Sequence, residues 1–210
     1  MVRLDGQARF WCGLDLSSGM LGDARARVGP AVPLVLGDVA RLPFASRTFD
    51  VVLCLWVLYH VADPVYALRE IDRVLAEDGM LIAATNSSRP RATDEIVSAS
   101  LEAATGRRID VWLPPLTFDA ENAPELLDQV FARVEAAERV AAFAVPGPEP
   151  VLAAIESTRG PMEMTIGEPI DWPAFEAEAR RLIEARIARD GVFRTEIVAT
   201  TFLCSQGRRP

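Results

Sequence analysis

The stretch from Gly37 to Ser88 leaves this chain few ways to fold. An apolar run, Val51 to Tyr59, follows Asp50 and has the length of a strand buried on both faces. Asp63-Pro64 then opens a helix, with the acid able to cap it and the proline standing where a missing N–H costs nothing. Val65, Leu68, Ile71, Val74 and Leu75 recur at helical spacing, with Arg69, Glu70, Asp72 and Arg73 between them. Gly79 stands where a left-handed C-terminal cap is expected, and Met80 to Thr85 is the next apolar strand. Strand, crossover helix and second strand predict a right-handed unit with parallel strands.

The flanking sequence extends the pattern. Ala8 to Leu16 predicts a strand ending at Asp15, and Ser17 or Ser18 caps a short helix. Pro33 to Leu36 predicts another strand, closed by Gly37-Asp38. Further on, helices are expected over Asp94 to Ala104, Glu121 to Val130, Pro148 to Ser157 and Trp172 to Asp190. Strands are expected over 131–136, 139–145 and 192–205. The fold class is therefore α/β: a Rossmann-like, mostly parallel sheet with helices on both faces and an antiparallel C-terminal edge hairpin. One domain over residues 1–210 is expected, with residues 89–120 as an insert over the substrate mouth.

Charge and cysteine usage narrow the function classes. A net charge of −8 argues against a general nucleic-acid binder. No membrane-length apolar run or signal peptide occurs. Cys12, Cys54 and Cys204 are odd in number and far apart, as reduced thiols of a cytoplasmic protein are. One histidine and no paired cysteines exclude the common zinc patterns.

GLDLSSGML (Gly13 to Leu21), GDV (Gly37 to Val39) and the central unit stand in one order and spacing. Together they resemble the class I S-adenosylmethionine-dependent methyltransferases, in the branch acting on small molecules. The resemblance covers about residues 10–88 and returns weakly at the C-terminus. It implies S-adenosyl-L-methionine as cofactor, a small-molecule acceptor as partner, and neither nucleic acid nor membrane. In an open α/β sheet ligands lie beyond the carboxyl ends of the strands. Asp15 is placed there and can accept from ribose hydroxyls; the resemblance assigns it that role and implies the adjoining Leu16 as a cofactor-binding residue. The other reading of Asp15 is an acid serving only the helix dipole. Met20 matches the residue beside the adenine face, and core packing is its alternative. Asp38 can accept the adenine amino group while Val39 N–H donates to a ring nitrogen; a simple Gly-Asp turn is the alternative. Leu55 and Trp56 line the cofactor's methionine end by position.

His60 lies just past the central unit's first strand and is the candidate general base, the alternative being a pocket-wall histidine. Tyr59 is a weaker candidate. Trp112, Phe118, Trp172 and Met162 are candidate walls of the acceptor pocket, or core.

The family's glycine-rich first turn has no counterpart, and roughly forty residues of its usual domain are unmatched before Ala8. The expectation is either a longer natural chain or a product lacking half of the cofactor site. With the matching central strand absent, the flanking strands would expose unpaired edges. Direct pairing of those strands, or a homodimer through the exposed edges, is expected. Two readings remain open on the residues: methyl transfer to a small molecule, and a non-catalytic binding or interaction module with the same fold.

Overall fold

The computed structural model describes residues 10–110, 113 and 115–207. In chain order its elements are β1 (Gly13–Asp15), α1 (Ser18–Val28), β2 (Leu34–Leu36), β3 (Phe49–Leu55), a 3₁₀ turn (Leu58–His60), α2 (Pro64–Val74) and β4 (Leu75–Asn86). There follow α3 (Asp94–Thr105), α4 (Ala123–Asp128), β5 (Phe131–Val145), α5 (Glu149–Glu156), α6 (Arg159–Ile166), α7 (Trp172–Asp190) and β6 (Phe193–Gly207). They fall into two compact units: Met1–Thr85 with Asn122–Ala136 and Thr201–Pro210, and Asn86–Glu121 with Ala137–Thr200.

The first unit holds the parallel strands. β1 pairs with β2, Gly13 opposite Leu34 and Asp15 opposite Leu36. β3 pairs with β4, Val51 opposite Met80 and Leu55 opposite Ala84. The four-stranded sheet runs β3-β4-β6-β5, so β5 and β6 are neighbours at one edge. β1 and β2 form a separate two-stranded sheet. The flanking strands β1 and β3 are therefore not paired with each other, contrary to the expected direct closure.

Between β3 and β4 the sequence behaves as its caps dictate. The Asp63 carboxylate accepts the Tyr66 N–H at 3.0 Å and Pro64 occupies the first turn of α2. Ala67, Leu68, Ile71 and Val74 are buried along one stripe, whose desolvation stabilises the helix against the sheet.

Three expectations for this stretch are corrected. β3 stops at Leu55, and Leu58 to His60 form a 3₁₀ turn within the apolar run. β3 is also not buried on both faces. Val51, Leu53 and Leu55, alternate residues on one face, are each more than two-fifths exposed, so that face of the edge strand β3 is not packed over. Gly79 caps nothing: α2 ends at Val74 and Leu75 is already extended. The glycine is required by close approach. A Cβ there would lie 2.9 Å from Ala76 N and 3.0 Å from the Phe49 carbonyl oxygen.

In the second unit, α3 packs on α7 through Ile96, Val97 and Leu101 against Phe175, Ala179 and Ile183. Gly106 and Gly191 close these two helices in the left-handed region, at φ 73° and 79°. Residues 89–120, the expected insert, lie wholly in this unit. Met162 is fully buried in its core and Phe118 is 1 % exposed. The Trp172 ring packs on Phe175, centroids 4.9 Å apart, with the Arg159 guanidinium 4.5 Å from its face. Packing thus accounts for Phe118 and Met162 as core residues, while Trp172 is partly buried against the core. Trp112 lies outside the described residues. Two further differences stand out: β5 is one continuous strand rather than two, and α6 was not foreseen.

Candidate functional site

Parallel pairing brings the carboxyl ends of β1 and β2 side by side, and both candidate acids are there. Asp15 is the last residue of β1, and its carbonyl accepts the Gly37 N–H at 3.0 Å. Asp38 follows at once. The packing around Gly37 is tight, since a Cβ would stand 3.0 Å from Leu14 Cδ1 and 3.4 Å from Pro43 Cδ. One oxygen of each carboxylate orders its own turn. Asp15 Oδ1 accepts the Ser17 N–H at 2.8 Å, and Asp38 Oδ1 accepts the Ala40 N–H at 2.8 Å. The other oxygen of each has no partner among the described residues, and neither acid is ion-paired there. The Val39 N–H likewise donates to no described group. Ser17 caps α1 by accepting the Met20 N–H at 3.3 Å. The Met20 side chain in that first turn is 58 % exposed, and Leu16, next to Asp15, is exposed as well. Five predicted residues, Asp15, Leu16, Met20, Asp38 and Val39, thus gather at one sheet end.

Leu55, Trp56, Tyr59 and His60 sit at and just past the carboxyl end of β3. Leu55 is half-exposed. Trp56 follows with φ 56°, its N–H still donating to the Ala84 carbonyl at 2.8 Å. A bulky side chain in the left-handed region is strained by about 1–3 kcal/mol, and such strain concentrates at functional sites. His60 ends the 3₁₀ turn, exposed, with its N–H donating to the Val57 carbonyl at 2.9 Å. Its ring lies 4.3 Å from that of Tyr59, tilted 54°. The strand tip therefore presents an apolar edge next to one titratable imidazole.

Sequence reasoning missed the chain that links these two groups. Residues 37–48 pass from the two-stranded sheet to β3 and are tied to α2. Arg73 donates to the Phe44 carbonyl at 2.9 Å and the Leu42 carbonyl at 3.0 Å. It also grips both carboxylate oxygens of Glu70, each at 2.9 Å. Glu70 accepts the Leu42 N–H at 3.1 Å. The hydrogen bond from Arg73 is the largest cause holding the Glu70 carboxyl below its usual range. The only hint in the sequence was an acid and a base three apart on α2.

The donor set has a definite chemistry. Two acceptor-only carboxylates and a backbone N–H suit sugar hydroxyls and a purine edge, and they repel phosphate. A soft thioether beside them suits a ring face. Cys54, in β3, is buried and desolvation pushes its thiol up to about 12, so it is no nucleophile. Among the described residues no cluster of His, Cys, Asp and Glu could hold a metal ion.

Residues 3–83 match the family model of the methyltransferase domain. Over that stretch the chain is similar to methyltransferases. Its relatives include demethylmenaquinone methyltransferases. That of Beutenbergia cavernae is 34% identical over 114 residues, 54% of this chain and 44% of the relative. That of Mycolicibacterium paratuberculosis is 42% identical over 83 residues, 39% of this chain and 35% of the relative. The match thus spans less than half the length of these curated relatives. Solved structures share the methyltransferase fold: a candidate methyltransferase from Bacillus halodurans superposes with a TM-score of 0.52 at 16% identity, covering 91% of this chain and 80% of the other. The [4+2]-cyclase SpnF matches at 0.50 and 18% identity, over 95% and 68%. Every predicted cofactor-binding residue, and His60, falls inside the stretch the family model covers.

Proposed function

We propose that this chain transfers a methyl group from S-adenosylmethionine to a small-molecule acceptor. The observation that carries the reading is the acid pair: Asp15 and Asp38 at the tips of adjacent parallel strands, each with an uncommitted oxygen. When bound, the cofactor supplies a methyl group on a sulfonium, an excellent leaving group. Asp15 accepts from the ribose hydroxyls, with Leu16 beside it. Asp38 accepts from the adenine amino group, the Val39 N–H donates to the ring, and Met20 packs on its face. Leu55 and Trp56 wall the β3 side. His60 takes the proton released by the acceptor, while most of the rate comes from holding the acceptor in line. The relatives' names make a quinone, or its reduced quinol, the first acceptor class to try. The non-catalytic alternative has no observation of its own in its favour. A cytoplasmic location agrees with the three free cysteines; no described helix is long and apolar enough to cross a membrane.

Calorimetry with S-adenosylhomocysteine, followed by transfer of labelled methyl to a panel of small phenols and quinols, tests this. Absence of binding sinks the reading. Binding without transfer to any acceptor moves it to the non-catalytic alternative.

A further inference from the structure

Among the described residues no strand ladder joins the two-stranded and four-stranded sheets, so the register between them depends on what holds residues 37–48. That segment rests on the last turns of α2 at five points. Leu42 is held through both its N–H and its carbonyl, by Glu70 and Arg73 respectively. The Phe44 carbonyl is held by Arg73. The Arg47 N–H donates to the Arg73 carbonyl at 3.0 Å and the Thr48 N–H to the Val74 carbonyl at 2.8 Å. The turn carrying Asp38 and Val39 begins only four residues before Leu42.

We propose that Glu70 and Arg73 form a positioning clamp for the nucleoside site, setting from α2 where the Asp38 carboxylate and the Val39 N–H meet the adenine edge. The inference rests on the cofactor reading above and adds two residues to it. Neither touches the ligand; both act through the backbone of Leu42 and Phe44. The guanidinium is required because its planar fork serves two carbonyls and a carboxylate at once, which an ammonium point charge cannot do. Glu70 keeps that fork oriented and takes up the one N–H it leaves. Recognition atoms must be held to within about half an ångström for their directional hydrogen bonds to form well, so the clamp sets affinity without being part of the pocket.

The test is a double-mutant cycle on the full chain, read by calorimetry with S-adenosylhomocysteine. The variants are Arg73→Lys, Asp38→Asn and the pair together. The expected result is that Arg73→Lys weakens binding on the order of tenfold in the native background and by less than about twofold beside Asp38→Asn. Amide exchange of the ligand-free protein, at Leu42 and Thr48 against β4, serves as a second measurement. It should quicken at the first two in Arg73→Lys and in the milder Glu70→Gln, and stay unchanged in β4. Equal losses in both backgrounds, or native affinity in Arg73→Lys, overturn the clamp while the nucleoside reading survives. If the unaltered chain does not bind S-adenosylhomocysteine, both fall together.

Discussion

Asp15→Asn separates the acid's two duties, because they reside on different oxygens. Asp15 Oδ1 accepts the Ser17 N–H at 2.8 Å, and an asparagine carbonyl oxygen can keep that bond. The turn into α1 and its Ser17 cap therefore survive. What changes is the second position, where an acceptor becomes an NH₂ donor and the charge disappears. A hydrogen bond to a charged acceptor is worth about 1.5–3 kcal/mol, so losing one ribose contact raises the Kd for S-adenosylhomocysteine by about 10- to 150-fold. The melting temperature should move by less than about 2 °C, since no buried group is orphaned. Asp15→Ala also strips the Ser17 N–H of its partner at an exposed turn and lowers stability by about 0.5–1.5 kcal/mol. Calorimetry and thermal melts on the two variants give four numbers. If Asp15→Asn binds as tightly as the native chain, Asp15 is a turn acid and the nucleoside assignment is wrong.

Gly79→Ala should destabilise by about 1–3 kcal/mol in urea melts, because the new methyl meets rigid backbone at 2.9–3.1 Å. Gly22→Ala, in α1 with open space around it, should stabilise by about 0.5–1 kcal/mol in the same assay. His60→Gln should lower kcat by about 10²- to 10⁴-fold with cofactor affinity intact; an unchanged kcat makes His60 a wall residue. Because the Glu70 carboxyl is held low in the folded chain, its stabilising effect is complete above the unfolded glutamate value, about 4.3, and fades as pH falls through the folded value. The melting difference between native and Glu70→Gln chains should hold steady at neutral pH and shrink in acid. Leu53→Lys, on the exposed edge strand β3, should abolish any concentration-dependent association seen by sedimentation.

Helix ends with chemical punctuation were legible in the sequence. α7 runs from Trp172 to Asp190 as expected, because Asp171 accepts the Ala174 N–H and Gly191 can turn left-handed. Asp63-Pro64 marked α2 for the same reason. The end of β3 was not legible, since Leu55 to Tyr59 stay apolar while the backbone leaves the sheet. α6 was hidden because Arg159-Gly160-Pro161 looks like a break, yet proline is tolerated in a first turn. Among site residues, the Asp15 and Asp38 positions followed from strand-end logic. Glu70 and Arg73 did not. On a helical wheel they are indistinguishable from solvated charges, and their partners lie 28 to 31 residues earlier. Gly79 was misread because a glycine after a helix fits a cap and a close contact equally well.

Trp56 carries a last consequence. A backbone angle that only glycine or asparagine adopts with ease is fitted here with the largest side chain available. Any laboratory selection for heat resistance would therefore drift toward those two small residues at this site, gaining firmness as it erased the indole. Engineering the chain for robustness and keeping the wall proposed for the cofactor's methionine end would then pull against each other at one codon.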